Sequence, residues 1–266
     1  MLTLQEILER ETRVLLDTSS ISINSKDNAQ AISRKIDSFL QSLAFSNSVY
    51  TIQDVVEEVT PLRTNLNEGR KELKKGLRKV EKINRYVGFS EIRGKIEEVA
   101  KKEQAVKRLI SRLKDRILNL TDLANYQPFE DFVFYLEDRL KIKKDGNPSN
   151  RTDEKVVSAA LFLTVYGIGR TAIATGDSDI SKLLRCCADI SNNSKFLPQN
   201  ETLAKALAEK EVIVYFKLPG TQDYEPRFNS RMYASKPQRW ALTPQDLEFI
   251  KEKLTHFPQP VLSPFS

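Results

Sequence analysis

The 266-residue sequence contains very little cysteine and histidine, and these shortages exclude several kinds of active site. Its two cysteines, Cys186 and Cys187, are adjacent, so they cannot cross-link distant segments, and no Cys-x-x-Cys pair exists for zinc. The single histidine, His256, lies near the end of the sequence, which argues against Ser-His-Asp and two-histidine ribonuclease mechanisms. No Gly-x-x-x-x-Gly-Lys-Ser/Thr loop is present, and the glycines around Ile168 are too few to indicate a nucleotide site.

The sequence also lacks long apolar runs. None approaches the ~20 residues that a helix needs to span a bilayer. Residues 1–6 lack the basic head and apolar stretch of a signal peptide. We therefore expect a cytoplasmic protein with no membrane partner. Hydrophobic residues make up 40% of the chain, which is sufficient for a buried core.

Strand-like and helix-like patterns alternate in two separate parts of the chain. In the first part, a strand over 13–16 precedes a helix, and a strand over about 48–52 leads into a helix that begins near Gln53. This alternation predicts an α/β fold with a parallel sheet flanked by helices. The second part has a helix from residue 152, a strand over 171–175, helices over 180–188 and 200–210, and a strand over 212–216.

A basic helical segment separates these two parts. Leu66, Leu73 and Val80 recur every seven residues, the pattern breaks at 88–90, and it then resumes, which predicts an antiparallel helical hairpin. Residues 63–116 hold 18 Lys/Arg and 8 Asp/Glu, a balance of +10, whereas the rest of the chain is at −4. Such a surplus favours binding to a phosphate backbone, and a solvated surface with salt bridges is the common alternative.

The residues of the hairpin that we expect to contact nucleic acid are its cations. They are Arg70, Lys71, Lys74, Lys75, Arg78, Lys79, Lys82, Arg85, Lys101, Lys102, Lys107, Arg108 and Arg112. A second interpretation is that the hairpin docks a protein partner or a second copy of the chain. Binding to nucleic acid would weaken steeply as salt rises, and protein docking would be insensitive to salt.

The C-terminal region, 218–266, interleaves aromatic and basic residues between 223 and 240. These aromatic residues can stack on unpaired bases, or they can hold an extended tail against the domain, which is the more common role. The order Thr243-Pro244-Gln245-Asp246 predicts the start of a final helix, because it combines a threonine cap, a proline at the first helical position and an acid at the third.

Acidic residues stand at the ends of strands and at the beginnings of helices. The carboxyl ends of parallel strands converge on one crevice, so these carboxylates can meet in space. Carboxylates that meet repel one another unless a cation joins them, and oxygen ligands suit Mg²⁺ or Mn²⁺. The predicted metal-binding and catalytic residues are Asp17, Glu58, Asp153, Asp177 and Asp179.

The order of these motifs resembles the PIN-domain nucleases. The matching features are Asp17-Thr18-Ser19 after a strand, Val-Val-x-Glu in a helix, an acid at the start of an alanine-rich helix, and Ala-Thr-Gly-Asp-x-Asp. The resemblance covers about residues 12–61 and 150–217. It implies a Rossmann-like domain whose acidic cleft binds one or two divalent ions and hydrolyses phosphodiester bonds, most often in RNA. It also implies that Thr18, Ser19 and Thr175 assist contacts with metal-bound water or phosphate.

The resemblance divides the chain into a first PIN part (1–61), a basic hairpin insertion (62–127), a second PIN part (128–217) and a C-terminal extension (218–266). The hairpin and the extension depart from the small toxin ribonucleases, so a larger RNA-processing endoribonuclease fits better. The alternative is a catalytically silent PIN-like scaffold that binds RNA or a protein partner, including a partner of the toxin-antitoxin type.

Overall fold

The computed structural model describes residues 1–21, 23, 27–44, 46, 48–82, 89–118, 123–140, 151–196, 201–233 and 242–257. Within them the chain forms a six-stranded sheet with helices on both faces. The strands are β1 (Leu2–Thr3), β2 (Arg13–Leu16), β3 (Val49–Tyr50), β4 (Thr171–Thr175), β5 (Val212–Lys217) and β6 (Asp223–Asn229). The helices are α1 (Leu4–Arg10), α2 (Ala29–Ala44), α3 (Gln53–Lys82), α4 (Phe89–Lys114), α5 (Leu123–Leu140), α6 (Thr152–Tyr166), α7 (Ser178–Ser191), α8 (Glu201–Glu209) and α9 (Pro244–Thr255).

The sheet has the strand order β1-β6-β5-β4-β2-β3. Strands β3, β2, β4 and β5 are mutually parallel, whereas β6 runs antiparallel to β5, and β1 antiparallel to β6. The α/β class is confirmed, but the sheet is mixed, so the predicted parallel arrangement holds only for β2 to β5. A turn over 218–222 joins β5 to β6, and so short a connection can link only antiparallel neighbours.

Alternate residues of the central strands point into two separate cores. Val14 and Leu16 pack with helices α1, α2 and α4 on one face of the sheet. Leu15 and Ile173 pack with helices α5 to α9 on the other face. Because both faces are covered, the parallel strands are apolar along nearly their whole length.

Helix α3 extends without interruption from the sheet into the basic hairpin. It passes through Pro61 and across the predicted domain boundary between residues 61 and 62. Helix α4 packs along it, and Arg70 pairs with Glu103 between the two helices at 2.7 Å. The second half of α4 buries Val106 and Leu109 against the core. The base of the hairpin is therefore part of the globular body.

Four elements were not predicted from the sequence, namely β1, α1, α5 and β6. Strand β6 contains Pro226 and several charged residues, and it is stabilised by pairing with β5. Tyr224 and Phe228 of this strand are buried, so these two aromatic residues hold the C-terminal region against the domain. Lys236, Arg239 and Trp240 lie outside the described residues.

The C-terminal helix α9 begins as predicted. The Thr243 side chain accepts a hydrogen bond from the Asp246 backbone N–H, and the Asp246 carboxylate accepts one in return. The helix packs on α5, and Phe257, two residues after its end, stacks on Phe129 at 4.4 Å between ring centroids. Among the described residues, no helix is both long enough and apolar enough to cross a membrane.

Candidate active site

The candidate site lies where the strand order of the parallel sheet reverses. The chain leaves β2 for β3 on one side and then crosses to β4 on the other side, so the crevice opens between β2 and β4. Leu16 pairs with Ala174, which places Asp17 and Thr175 next to each other at the carboxyl ends of the two strands. In open α/β sheets this switch point is the usual position of a ligand.

Asp17 is held in a fixed orientation by hydrogen bonds from the turn after β2 and from the end of β4. Its carboxylate accepts a bond from the Thr18 N–H at 2.7 Å and another from the Thr175 hydroxyl at 2.8 Å. The Ser19 hydroxyl also donates to it. Only 3% of Asp17 is exposed, so these donors replace water around the charge.

Ser19 and Thr175 also connect Asp17 to the loop after β4. The Gly176 N–H donates to the Ser19 hydroxyl at 2.6 Å, and the Asp177 N–H donates to the Thr175 hydroxyl at 2.8 Å. A Cβ atom at Gly176 would lie 3.3 Å from the Cβ of Ser19, which is a tight contact. Glycine therefore allows the two loops to approach each other. The Ser19 and Thr175 residues that the resemblance implied are thus both in contact with Asp17.

Glu58 approaches the same crevice from helix α3. One of its oxygens accepts a hydrogen bond from the Thr18 hydroxyl, and the other accepts one from the Thr152 hydroxyl. Thr152 is the first residue of α6, so Glu58 joins the turn after β2 to the beginning of α6. Sequence reasoning missed Thr152, although its position directly before Asp153 was a signal for it.

The other three predicted acids have different surroundings. Asp153 lies in the first turn of α6, next to the threonine that contacts Glu58. The Asp177 carboxylate caps α7 by accepting the Asp179 N–H at 2.8 Å. The Asp179 carboxylate forms an ion pair with Lys182. The structure thus brings the side chains of Asp17 and Glu58 together, while those of Asp177 and Asp179 contact the first turn of α7.

Burial of Asp17 makes its negative charge costly. Burial raises the pKa of its carboxyl group above the ordinary value, the bonds from Ser19 and Thr175 lower it, and the charge of Glu58 raises it again. Two neighbouring carboxylates of this kind favour either a shared proton or a bound cation. The effect of Glu58 is smaller than that of burial, so the raised pKa of Asp17 is due mainly to its buried position.

The acids of the site offer Mg²⁺ or Mn²⁺ a small set of oxygen ligands. Within the described residues, no group of three or more His, Cys, Asp or Glu side chains is positioned to hold a metal ion. Mg²⁺, however, is commonly bound by one or two carboxylates together with water molecules and substrate phosphates. Asp17 and Glu58, surrounded by hydroxyl groups, match that smaller donor set.

A buried cation, Lys217, lies at the same edge of the sheet and was not predicted. It ends β5, and its ammonium group donates to the Ser20 carbonyl oxygen at 2.7 Å. Tyr224 donates its hydroxyl to the same carbonyl oxygen at 3.1 Å. Burial, followed by the positive charge of Lys35, lowers the pKa of Lys217 to about 8. The signal in the sequence was a lysine directly after five apolar strand residues.

The distal half of α3 carries a basic surface that faces away from α4. Five cations are exposed there and fall within an arc of about 140° at 3.6 residues per turn: Lys71, Lys74, Lys75, Arg78 and Lys79. Leu66, Leu73 and Val80 occupy the opposite side and are partly buried. The heptad pattern therefore marks the contact between the helices, and the basic surface on α3 is open to a partner.

Ion pairs occupy some of the predicted nucleic-acid-binding residues. The paired residues are Arg70 with Glu103, Lys75 with Glu72, Lys102 with Glu98, Arg108 with Asp37, and Arg112 with Asp115. In the part of the chain that the structure describes, no ion pair involves Lys71, Lys74, Arg78, Lys79, Lys101 or Lys107. Arg85 and the side chain of Lys82 lie outside the described residues.

Comparison with known proteins finds no matching family model, no curated protein of significant similarity and no solved structure of significant similarity. The PIN-domain resemblance therefore rests on the motifs of the sequence.

Proposed function

We propose that this protein is an endoribonuclease that hydrolyses phosphodiester bonds with a divalent metal ion at the Asp17–Glu58 site. One observation carries the proposal. A buried carboxylate and a second carboxylate adjoin at the switch point of the sheet, and hydroxyl groups from three elements orient them. Asp17 and Glu58 are also two of the acids that the resemblance to the PIN-domain nucleases implies, which supports the proposal.

Asp17 and Glu58 would hold Mg²⁺ or Mn²⁺, and the PIN resemblance adds Asp153, Asp177 and Asp179 as further candidate ligands. When bound, the metal ion lowers the pKa of a water molecule and neutralises charge on the phosphate.

The side chains of the protein orient the groups that react. Asp17 keeps a single orientation because its donors come from the β2 turn and from β4. Glu58 is held in one orientation on both oxygens by Thr18 and Thr152, so it is the first candidate to orient the attacking water. Asp179 is the second candidate, although its carboxylate already pairs with Lys182.

In this proposal, the basic surface on α3 binds the RNA. Lys71, Lys74, Arg78 and Lys79 are exposed, and the described residues provide no acid within ion-pair distance of them. Helix α3 also carries Glu58, so RNA bound along the hairpin is connected to the site by one continuous helix. Phosphate contacts of this kind provide affinity independently of base sequence.

The test is RNA cleavage by the purified protein with Mn²⁺, compared between the wild type and Asp17→Asn. Asparagine keeps the shape of the side chain and an acceptor oxygen but removes the charge, so we expect cleavage to be lost while the protein stays folded. Because the charge of Asp17 is costly, Asp17→Asn should also melt at a higher temperature than the wild type at pH 7. The matched control is Asp115→Asn at the exposed end of α4. Cleavage by Asp17→Asn at the wild-type rate would remove the site assignment.

A second candidate function is RNA binding without cleavage. It is favoured by the lack of a three-ligand metal group within the described residues and by the pairing of Asp179 with Lys182. Titration calorimetry with Mn²⁺ separates the two functions. Heat that disappears in Asp17→Asn supports the nuclease, and a folded wild-type protein that gives no heat supports the scaffold.

A further inference from the structure

A small cavity lies at the edge of the sheet opposite to the candidate active site. Its volume is about 190 Å³. Polar groups of Thr12, Arg13, Ser48 and Tyr50 line one part of it, and the apolar residues Leu118, Leu163 and Ile168 line the rest. Arg13 is the first residue of β2, whereas Asp17 follows the last, so the length of the strand separates the two sites.

Arg13 brings a positive charge to this cavity, and the described residues place no carboxylate beside it. Only 7% of the residue is exposed, and burial lowers the pKa of its guanidinium group. Its Nη2 donates to the Gly169 carbonyl oxygen at 2.8 Å, whereas its buried Nε has no hydrogen-bond partner within the part of the chain that the structure describes. Among the described residues, no carboxylate lies within ion-pair distance of Arg13. A buried guanidinium in this state is costly unless an anion joins it.

A second cation strengthens the local positive field. Lys210 donates to the carbonyl oxygens of Val165 and Gly167 at 2.8 and 3.0 Å. Burial lowers the pKa of Lys210, and the charge of Arg13 lowers it further. These carbonyl groups belong to the C-terminal end of α6, whose dipole favours cations, which gives both residues a structural role. That role accounts for the ammonium group and for Nη2, while the buried Arg13 Nε has no hydrogen-bond partner among the described residues and Arg13 lines the cavity.

The lining defines the chemistry of a ligand. A guanidinium group binds carboxylates through paired N–H donors, and the hydroxyl groups of Thr12, Ser48 and Tyr50 supply further donors. The apolar residues Leu118, Leu163 and Ile168 suit a short hydrocarbon chain. A volume of about 190 Å³ is below the ~300–1,000 Å³ of sites for drug-sized ligands. We propose that this cavity binds a small organic carboxylate, with its charged group on Arg13 and its hydrocarbon part against Leu163 and Ile168.

The proposal is tested with probes that differ only in charge. In ¹⁹F NMR titrations, 4,4,4-trifluorobutyrate should bind, and unlabelled butyrate should displace it. The alcohol 4,4,4-trifluorobutanol should bind at least about tenfold more weakly, because it cannot form the charge-assisted hydrogen bond. Arg13→Met should abolish the difference between the two probes. Three results would overturn the proposal. They are equal binding of the acid and the alcohol, no binding of the acid at tens of millimolar, and displacement of the acid by inorganic phosphate as effectively as by butyrate.

Because Arg13 is buried, Arg13→Met can fail to fold, and Ile168 gives an independent test. Ile168 is 62% exposed, so substitutions there should leave the fold intact. Ile168→Asp should weaken binding of trifluorobutyrate, and Ile168→Lys should strengthen it, because the added charge stands at the edge of the cavity. The matched control is Met232→Asp, at a residue that is 83% exposed and does not line the cavity. Equal affinity in Ile168→Asp and Ile168→Lys would also overturn the proposal. This test does not depend on nuclease activity.

Discussion

Thr18 donates its hydroxyl hydrogen to Glu58, and this bond joins the turn after β2 to helix α3. The adjacent residue, Asp17, carries the buried carboxylate, so the Thr18–Glu58 bond sets the position of one acid relative to the other. Thr152, the first residue of α6, donates its hydroxyl hydrogen to the second oxygen of Glu58. The pair of acids is therefore assembled by three segments that are distant in the sequence.

The first prediction concerns Thr18→Val. Valine keeps the shape of threonine but removes the donor, so one oxygen of Glu58 loses its partner in a partly buried site. We expect the free energy of unfolding to fall by about 1 kcal/mol and the cleavage rate to fall roughly tenfold or more. Chemical denaturation and the Mn²⁺-dependent cleavage assay measure the two effects separately.

Thr18→Ser is the matched control, because serine restores the hydroxyl group. It should regain most of the lost cleavage rate, whereas a purely steric role of Thr18 would leave serine as impaired as valine. Full activity in Thr18→Val would contradict a role of this bond in orienting Glu58.

The second prediction concerns the pH dependence of stability at Lys217. Its pKa is lowered from 10.5 to about 8 in the folded protein, mainly by burial. Between these two pH values the unfolded chain still binds a proton that the folded protein has lost, so this group makes stability rise with pH. Relative to Lys217→Met, which lacks the group, the free energy of unfolding of the wild type should rise by on the order of 2 kcal/mol from about pH 7 to about pH 10.

Chemical denaturation of both proteins at a series of pH values measures this difference. The tyrosines and other lysines titrate in both proteins, so their contributions cancel in the comparison. A difference between wild type and Lys217→Met that stays constant over this pH range would show that Lys217 retains its ordinary pKa.

The third prediction concerns the basic surface on α3. Lys74 and Arg78 are exposed, and the described residues offer neither of them an ion pair. If both contact phosphates of single-stranded RNA, Lys74→Gln with Arg78→Gln should weaken binding and reduce the slope of log K against log salt by about 1.4. Fluorescence anisotropy at several salt concentrations measures this slope.

The control double variant is Lys195→Gln with Lys205→Gln, which removes the same charge from exposed positions outside the hairpin. It should change the slope much less. An equal effect of the two double variants would mean that the affinity for RNA depends on the net charge of the protein rather than on the surface on α3. An affinity that does not change with salt would favour a protein, rather than RNA, as the partner of this surface.

The sequence was sufficient to predict the parallel part of the fold, because β2, β4 and β5 are apolar runs bounded by polar turns and their helices have regular apolar spacing. It was insufficient for β6. The residues Asp223, Glu225, Pro226 and Arg227 give that segment no strand pattern, and it is extended because it pairs with the edge of β5.

The candidate site shows the same division. Asp17 and Thr175 could be placed together from the sequence because the carboxyl ends of parallel strands converge. The contact of Thr152 with Glu58 and that of Lys217 with Ser20 depend on where α6 and β5 lie in space, which no local pattern specifies. The side-chain partners of Asp177 and Asp179 likewise depend on the first turn of α7.

The last prediction concerns the glycines of the hairpin. Gly76 lies inside α3, and a Cβ atom added there would meet nothing within 4 Å. Glycine in a helix costs roughly 0.5–1 kcal/mol relative to alanine because the unfolded chain loses more conformational freedom on folding. Gly76→Ala should therefore raise the free energy of unfolding by about that amount, as measured by chemical denaturation.

Gly220→Ala is the matched control, because a Cβ atom there also meets nothing within 4 Å while the backbone φ angle is +74°. Alanine is strained at this angle, so Gly220→Ala should lower stability even though the space is equally open. Opposite signs for the two variants show that backbone conformation, rather than lack of room, determines the effect of each glycine. If Gly76→Ala were instead destabilising, α3 would not be a regular helix at residue 76, and the arrangement of Lys71, Lys74, Arg78 and Lys79 on one side of it would no longer follow.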